Sequence, residues 1–183
     1  MFTIDYKVIL RNDEGMPGAA GFFRIACEPL EYGEYWPLEI ERHMPTYWLM
    51  PWFQPLVEAL QALKDKRYAA IIDIENRRGW LEFNYADDCV YLNIADAGAD
   101  EQPPFIHKGE SERFPESVPR RFAVDVECSY RQFRDEIIQQ TTRYLSEVLA
   151  LNPGILAGPV PRDKEQAAFR ADIERLHKSL AAL

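Results

Sequence analysis

The side chains best suited to bind a metal or act as a nucleophile, the histidines and cysteines, are scattered along the chain. The three histidines lie in separate segments, and Glu174 stands three residues before His177 on a predicted helix. The three cysteines contain no Cys-x-x-Cys pair. Metal sites and disulfide frameworks need clustered or regularly spaced residues, so the sequence predicts neither. The residues concerned are His43, His107, His177, Cys27, Cys89 and Cys128.

Cys128 and Ser129 stand together where a predicted strand meets a predicted helix. The start of a helix can lower the pKa of a thiol and so activate it. The alternative, a buried core cysteine, is the interpretation we favour. Ser129 is followed by Gln132 at capping-box spacing, which indicates a helix cap, and the chain has no Gly-x-Ser-x-Gly motif.

Neither glycines nor carboxylates form a catalytic pattern. Gly15, Gly18 and Gly21 match no phosphate-binding fingerprint. Asp87 and Asp88 are adjacent and fall on a predicted hairpin turn. Asp73 and Glu75 are two positions apart in a predicted strand, so their side chains lie on the same side of it. We therefore predict no cofactor and no enzymatic activity.

The charge of the chain is acidic and unevenly placed. The net charge is −9, and residues 1–100 hold 17 acids against 9 bases. Such a chain repels the nucleic-acid backbone and attracts a basic protein, so nucleic acid is not expected as a direct partner. The alternative is that acidity serves solubility alone.

Nothing in the sequence indicates a membrane protein. No run of about 18 apolar residues occurs. The first seven residues alternate polar and apolar types and do not resemble a signal peptide. We expect a cytoplasmic protein.

The first half of the chain predicts a sheet followed by a helix. Alternating residues predict strands over residues 2–10, 21–28 and 35–42. A helical stripe follows over residues 56–66, with Pro55 near its start. The aromatic segment before it, with Trp48, Trp52 and Phe53, fits either a core or an exposed recognition surface.

The second half predicts a hairpin and two long helices. Strands are expected over residues 68–75, 80–85, 89–94 and 122–128, the last with Phe122, Val124 and Val126 inward. Residues 95–120 contain four prolines and read as a long loop. Helical spacing runs from Tyr130 to a stop at 152–154, and again from Phe169 to Leu183.

These elements predict an α+β fold. We expect an antiparallel sheet of about six or seven strands with two or three helices packed mainly on one face. Residues 1–154 would form one domain. Residues 155–183 would form a linker and a C-terminal amphipathic helix packed on the same domain.

The middle of the chain resembles a known family. Residues 47–94, with "YWLMPWFQPLVEALQALKDK" before "YAAIIDIENRRGWLEFNYADDCVYLNIA", are similar to immunity proteins of bacterial contact-dependent growth inhibition and related polymorphic toxin systems. The resemblance implies a non-enzymatic protein that binds and neutralises a cognate toxin domain, often a basic nuclease. The near-neutral part after residue 100 departs from an evenly acidic inhibitor.

The hairpin region is the predicted toxin-binding site. Its acids would pair with the toxin, and two aromatic side chains would serve as anchors. A different hypothesis is a structural or adaptor protein, such as a secretion accessory, docking through the closing helix. A third is an enzyme with residues 47–53 as a pocket wall. The candidate contacts are Asp73, Glu75, Trp80, Glu82, Tyr85, Asp87 and Asp88.

Overall fold

The computed structural model describes residues 1–9, 16–35, 47–72, 79–97, 106–159, 161 and 163–183. Within these ranges the chain forms nine strands and three long helices. The strands are β1 Phe2–Val8, β2 Ala20–Cys27, β3 Leu30–Glu34, β4 Tyr47–Trp48, β5 Tyr68–Ile72, β6 Trp80–Ala86, β7 Cys89–Ala95, β8 Ile106–Lys108 and β9 Val126–Ser129. The helices are α1 Met50–Lys66, α2 Tyr130–Leu151 and α3 Lys164–Ala181.

The predicted α+β class is confirmed, but the strands are divided differently from the prediction. They form two antiparallel sheets, one of four strands and one of five, instead of a single sheet of six or seven. In the first sheet β1, β2 and β3 form a meander, and the short β4 also pairs with β2. In the second the order is β8-β5-β6-β7-β9.

The four-stranded sheet begins as the alternation predicts. Phe2, Ile4 and Tyr6 are buried on one face of β1, which pairs along its length with β2. The third predicted strand, over residues 35–42, lies almost wholly outside the described residues. Strand β3 completes the meander instead, and Glu28 and Pro29 connect it to β2.

Helix α1 begins earlier than predicted and settles the role of its aromatic residues. It starts at Met50, with Pro51 in the first turn, and it includes Pro55. Trp52 and Phe53 are fully buried in the core. Trp48, just before the helix, keeps 49% of its surface exposed. The core interpretation therefore holds for two of these three aromatic side chains.

Helices α2 and α3 agree closely with the sequence pattern. The Ser129 hydroxyl accepts a hydrogen bond of 3.2 Å from the Gln132 amide, as a helix cap does. Phe169, Ile173 and Leu176 of α3 are buried, and α3 contacts both α1 and α2. The apolar stripe of the closing helix therefore belongs to the same core as the sheets.

Two predictions for residues 95–128 are wrong. The last strand starts only at Val126, and Val124 is 81% exposed instead of pointing inward. The expected loop also contains the edge strand β8 and a 3-10 turn over Glu110–Glu112. After the 3-10 turn, Arg120 holds the chain against the five-stranded sheet, because its guanidinium pairs with the buried carboxylate of Glu82.

Among the described residues, none of the helices combines the length and apolar character that crossing a bilayer would require.

Candidate binding surface

The tip of the β6–β7 hairpin presents two carboxylates to solvent. Asp87 and Asp88 have φ values of 51° and 59°, the left-handed backbone that a two-residue hairpin turn uses. Aspartate tolerates this conformation better than most residues. Both side chains are exposed, so the turn presents two negative charges side by side.

The tip is held by contacts with the start of α2. The Tyr85 hydroxyl donates a hydrogen bond of 2.9 Å to Asp88 Oδ1, and this bond is the main cause that raises the pKa of Tyr85. The Tyr85 ring lies edge-on to Tyr130, with 5.0 Å between ring centroids. The Tyr130 amide donates to the Asp88 carbonyl at 2.8 Å. The turn is therefore ordered before any partner arrives.

Strand pairing adds a third acid to the tip. Glu127 of β9 lies opposite Tyr91 of β7, and Cys89 Sγ donates to Glu127 Oε1 at 3.2 Å. The charge of Glu127 is the largest cause that raises the pKa of Tyr91, and its hydrogen bond is the largest that raises the pKa of Cys89. We call the set Tyr85, Asp87, Asp88, Tyr91 and Glu127 the acidic tip.

No cation in the described part of the chain is paired with a carboxylate of the acidic tip. Asp87, Asp88 and Glu127 form no ion pair with any side chain in the described part of the chain. Like charges that stand close together repel one another, and a basic partner would relieve that repulsion. The tip is therefore suited to a positively charged surface.

Two predicted contact residues are buried instead of exposed. Trp80 and Glu82 each keep only 2% of their surface. The Trp80 ring is covered by His107, at 4.4 Å between centroids, and by Phe114. Glu82 accepts hydrogen bonds from the Tyr68 hydroxyl and from the guanidinium of Arg120. A side chain enclosed in this way has no surface to offer a partner, so the interface proposed below excludes both.

The remaining predicted residues divide between the tip and the part that is not described. Tyr85, Asp87 and Asp88 come together at the acidic tip. Asp73 and Glu75 lie outside the described residues. Sequence reasoning missed Glu127 and Tyr91. The alternation of β9 was a signal for Glu127, since Val126 and Cys128 are buried and Glu127 between them is exposed.

Arg120 is a third residue that sequence reasoning missed. Its five N–H donors make five hydrogen bonds, two to Glu82 and three to the carbonyls of Phe114, Pro115 and Val118. The hydrogen bonding to Glu82 is the largest cause that raises the pKa of Arg120, and burial is the largest that raises the pKa of Tyr68. Arg120 thus fastens the segment before β9 onto the outer face of the five-stranded sheet.

A concave space of about 510 Å³ opens beside this ion pair. We call it the polar basin. Its floor is the outer face of β6 and β7, and its wall is the segment that Arg120 holds. It is lined by Glu82, Asn84, Asn93, Arg113, Phe114, Glu116, Arg120, Phe122, Ala123 and Asp125.

The thiol next to the start of α2 is not activated. Cys128 is buried, and burial together with the neighbouring Cys27 raises its pKa to about 12. The alternative of a lowered thiol pKa is therefore wrong, because loss of solvation outweighs the effect of the helix start. All three cysteines are free thiols.

Within the described ranges, no group of three or more His, Cys, Asp or Glu side chains is arranged to hold a metal ion. Comparisons of the chain with protein-family models, with curated proteins and with solved structures find no match.

Proposed function

We propose that this protein is a non-enzymatic immunity protein, which binds and neutralises a cognate bacterial toxin domain through the acidic tip. The observation that carries the proposal is the set of three carboxylates, Asp87 and Asp88 from the hairpin turn and Glu127 from β9, which form no ion pair within the described part of the chain. A basic nuclease domain is the kind of toxin that this charge suits.

Both the charge of the acidic tip and its ordered backbone favour binding of a basic protein. Complementary charge speeds the encounter of two proteins and selects among partners. The half-exposed rings of Tyr85 and Tyr91 flank the carboxylates and supply rigid aromatic area, which is enriched at interface centres. Because hydrogen bonds already order the turn, binding loses little conformational entropy in this loop.

The adaptor hypothesis finds less support. Its docking element was the apolar stripe of the closing helix, and Phe169, Ile173 and Leu176 of that stripe are buried against the rest of the core. The enzyme hypothesis needed residues 47–53 as a pocket wall. Trp52 and Phe53 are buried, so these two side chains give no such wall.

The test is co-expression with basic toxin domains encoded beside the gene, read out as growth and as a one-to-one complex. The variant Asp87→Asn/Asp88→Asn/Glu127→Gln keeps the size and hydrogen bonding of each side chain. We expect it to lose protection and to bind about 100-fold more weakly, as for several close charge pairs. The control Glu28→Gln/Glu31→Gln/Glu165→Gln changes the net charge equally and should protect fully.

Three results would contradict the proposal. Failure of the unaltered protein to bind or protect against any encoded neighbour removes the immunity function. Equal loss in the tip variant and the control assigns the effect to net charge. Full protection by the tip variant places the contact elsewhere.

A further inference from the structure

Two of the three free thiols meet where the two sheets come together. Cys27 ends β2 of the four-stranded sheet, and Cys128 lies in β9 of the five-stranded sheet. The Cys27 thiol donates a weak hydrogen bond of 3.8 Å to the carbonyl of Glu127, the residue directly before Cys128. Both cysteines belong to the same hydrophobic core, and each is no more than 5% exposed. Their side chains therefore enter one buried space from opposite sheets.

The two thiols also touch one another. Cα atoms of β2 and β9 come within 8 Å of each other. Burial raises the pKa of Cys128 to about 12, and the charge and the hydrogen bond of the Cys27 thiol add to this rise. Two cysteines whose side chains meet in this way satisfy the first requirement for a disulfide, which is that little backbone movement is needed to join them.

The third cysteine is separated from this pair by the sheet itself. Cys89 of β7 lies opposite Ser129, and its thiol donates to the side chain of Glu127. Successive side chains of a strand point to opposite faces, so Glu127 and Ser129 lie on the outer face and Cys128 lies on the core face. Cys89 therefore cannot replace either member of the buried pair.

The pair lies at a point where no backbone ladder joins the sheets. Among the described residues, β9 pairs with β7, and β2 pairs with β1, β3 and β4. β2 and β9 meet through side chains such as that of Cys27. A covalent bond at this point would link the two sheets where paired strands do not.

We infer that Cys27 and Cys128 form a redox-active dithiol, which a small disulfide such as glutathione disulfide converts to a disulfide bond between the two sheets. One cysteine thiolate attacks a sulfur atom of the oxidant, so a mixed disulfide forms and one thiol leaves. The other cysteine then attacks the protein sulfur atom of that mixed disulfide, and the second thiol leaves. The protein loses two electrons and two protons, and the oxidant is reduced to two thiols.

Burial decides how this bond forms and what it does. The thiolate of Cys128 is scarce near neutral pH, and both sulfur atoms are covered in the folded protein, so exchange is slow and follows local opening of the short edge strand β9. The closed bond is covered in the same way. It encloses a loop of about 100 residues, and a crosslink of that length stabilises the folded state by restricting the unfolded chain.

The test measures an equilibrium, so that slow exchange does not obscure the result. The Cys89→Ser protein is incubated to constancy with mixtures of oxidised and reduced glutathione, once folded and once unfolded in urea. Free thiols are then alkylated, and mass spectrometry gives the fraction of disulfide and the peptides that it joins. We expect the bond between Cys27 and Cys128 to be favoured about 100-fold or more in the folded protein relative to the unfolded protein.

Urea unfolding provides the second measurement and its controls. Oxidation of the Cys89→Ser protein should raise the urea midpoint by about 1 M or more. The controls Cys89→Ser/Cys27→Ala and Cys89→Ser/Cys128→Ala each keep one buried thiol, and the same treatment should leave their midpoints unchanged.

Three results would overturn the inference. Equal equilibria in the folded and unfolded protein would show that the fold does not bring the thiols together. Mixed disulfides with glutathione, or bonds between two chains, in place of the internal bond would show that the two sulfur atoms cannot be joined. An oxidised protein whose urea midpoint is unchanged or lower would show that the bond does not fit the folded structure.

Discussion

Nε and one terminal nitrogen of Arg120 lie 2.8 and 3.1 Å from the two carboxylate oxygens of Glu82, whose side chain is only 3% exposed. This two-point contact joins residues 38 positions apart. It is the junction between the five-stranded sheet and the segment that walls the polar basin.

Arg120→Met should be strongly destabilising, because it leaves the Glu82 charge buried without its partner. We expect a loss of about 3 kcal/mol in the free energy of unfolding, measured by urea titration. The paired variant Glu82→Leu/Arg120→Met removes both charges and should cost less than Arg120→Met alone. A paired variant that is less stable than Arg120→Met would contradict this account of the ion pair.

Glu127→Gln should make Cys89 react faster with a thiol reagent. The hydrogen bond and charge of Glu127 raise the pKa of Cys89, which keeps the reactive thiolate scarce near neutral pH. Removing that charge lowers the pKa and increases the thiolate fraction. The measurement is the rate of labelling by a chromogenic disulfide at pH 8.

Glu28→Gln is the control for this labelling, since Glu28 is exposed and is not among the groups that shift Cys89. In the native protein we expect one thiol to react quickly, because Cys27 and Cys128 are buried and Cys89 is half-buried. Rapid labelling of more than one thiol would contradict the burial, and an unchanged rate in Glu127→Gln would contradict the contact.

Ser129→Ala should cost about 1 kcal/mol of stability, the usual value of a helix cap. The loss follows because the Gln132 amide would have no acceptor at the start of α2. Ser146→Ala is the matched control, since Ser146 is exposed within the same helix and donates only to the Thr142 carbonyl. Equal costs in urea unfolding would show that the cap adds nothing.

Local patterns predicted the helices because the information lies within a few residues. The stop after α2 is one example, where Asn152 ends the helix and its side chain donates to the carbonyl of Val148, in the last turn of the same helix. The division into two sheets could not be predicted in this way. Alternation shows that β2 and β6 are strands, but it does not show that their partners belong to separate sheets.

The residues of the candidate site were likewise predicted where the sequence signal is local and missed where it is not. Asp87 and Asp88 were predicted because a turn doublet between two alternating segments is a local signal. Glu82 has the same local pattern as an exposed strand acid, and its burial depends on two partners distant in sequence, the hydroxyl of Tyr68 and the charge of Arg120. Glu127 joins the tip through the pairing of β7 with β9, which no short motif records.

An added methyl group at Gly18 should be strongly destabilising. Its φ of 95° disfavours any side chain, and a Cβ there would lie 2.9 Å from Val148 Cγ2 in the core. Gly18→Ala should therefore lose about 2–4 kcal/mol, from backbone strain and overpacking together. Gly154→Ala is the control for strain alone, because Gly154 has a φ of 85° and nothing within 4 Å of the added Cβ.

Adding Val148→Ala separates the two contributions to the Gly18→Ala loss. It removes the methyl group that clashes, so the double variant should be more stable than the sum of the two single losses predicts. Urea unfolding of the four proteins gives this coupling energy directly. If Gly18→Ala costs no more than Gly154→Ala, or if the two substitutions are additive, Gly18 is required for its backbone conformation and not for its closeness to α2.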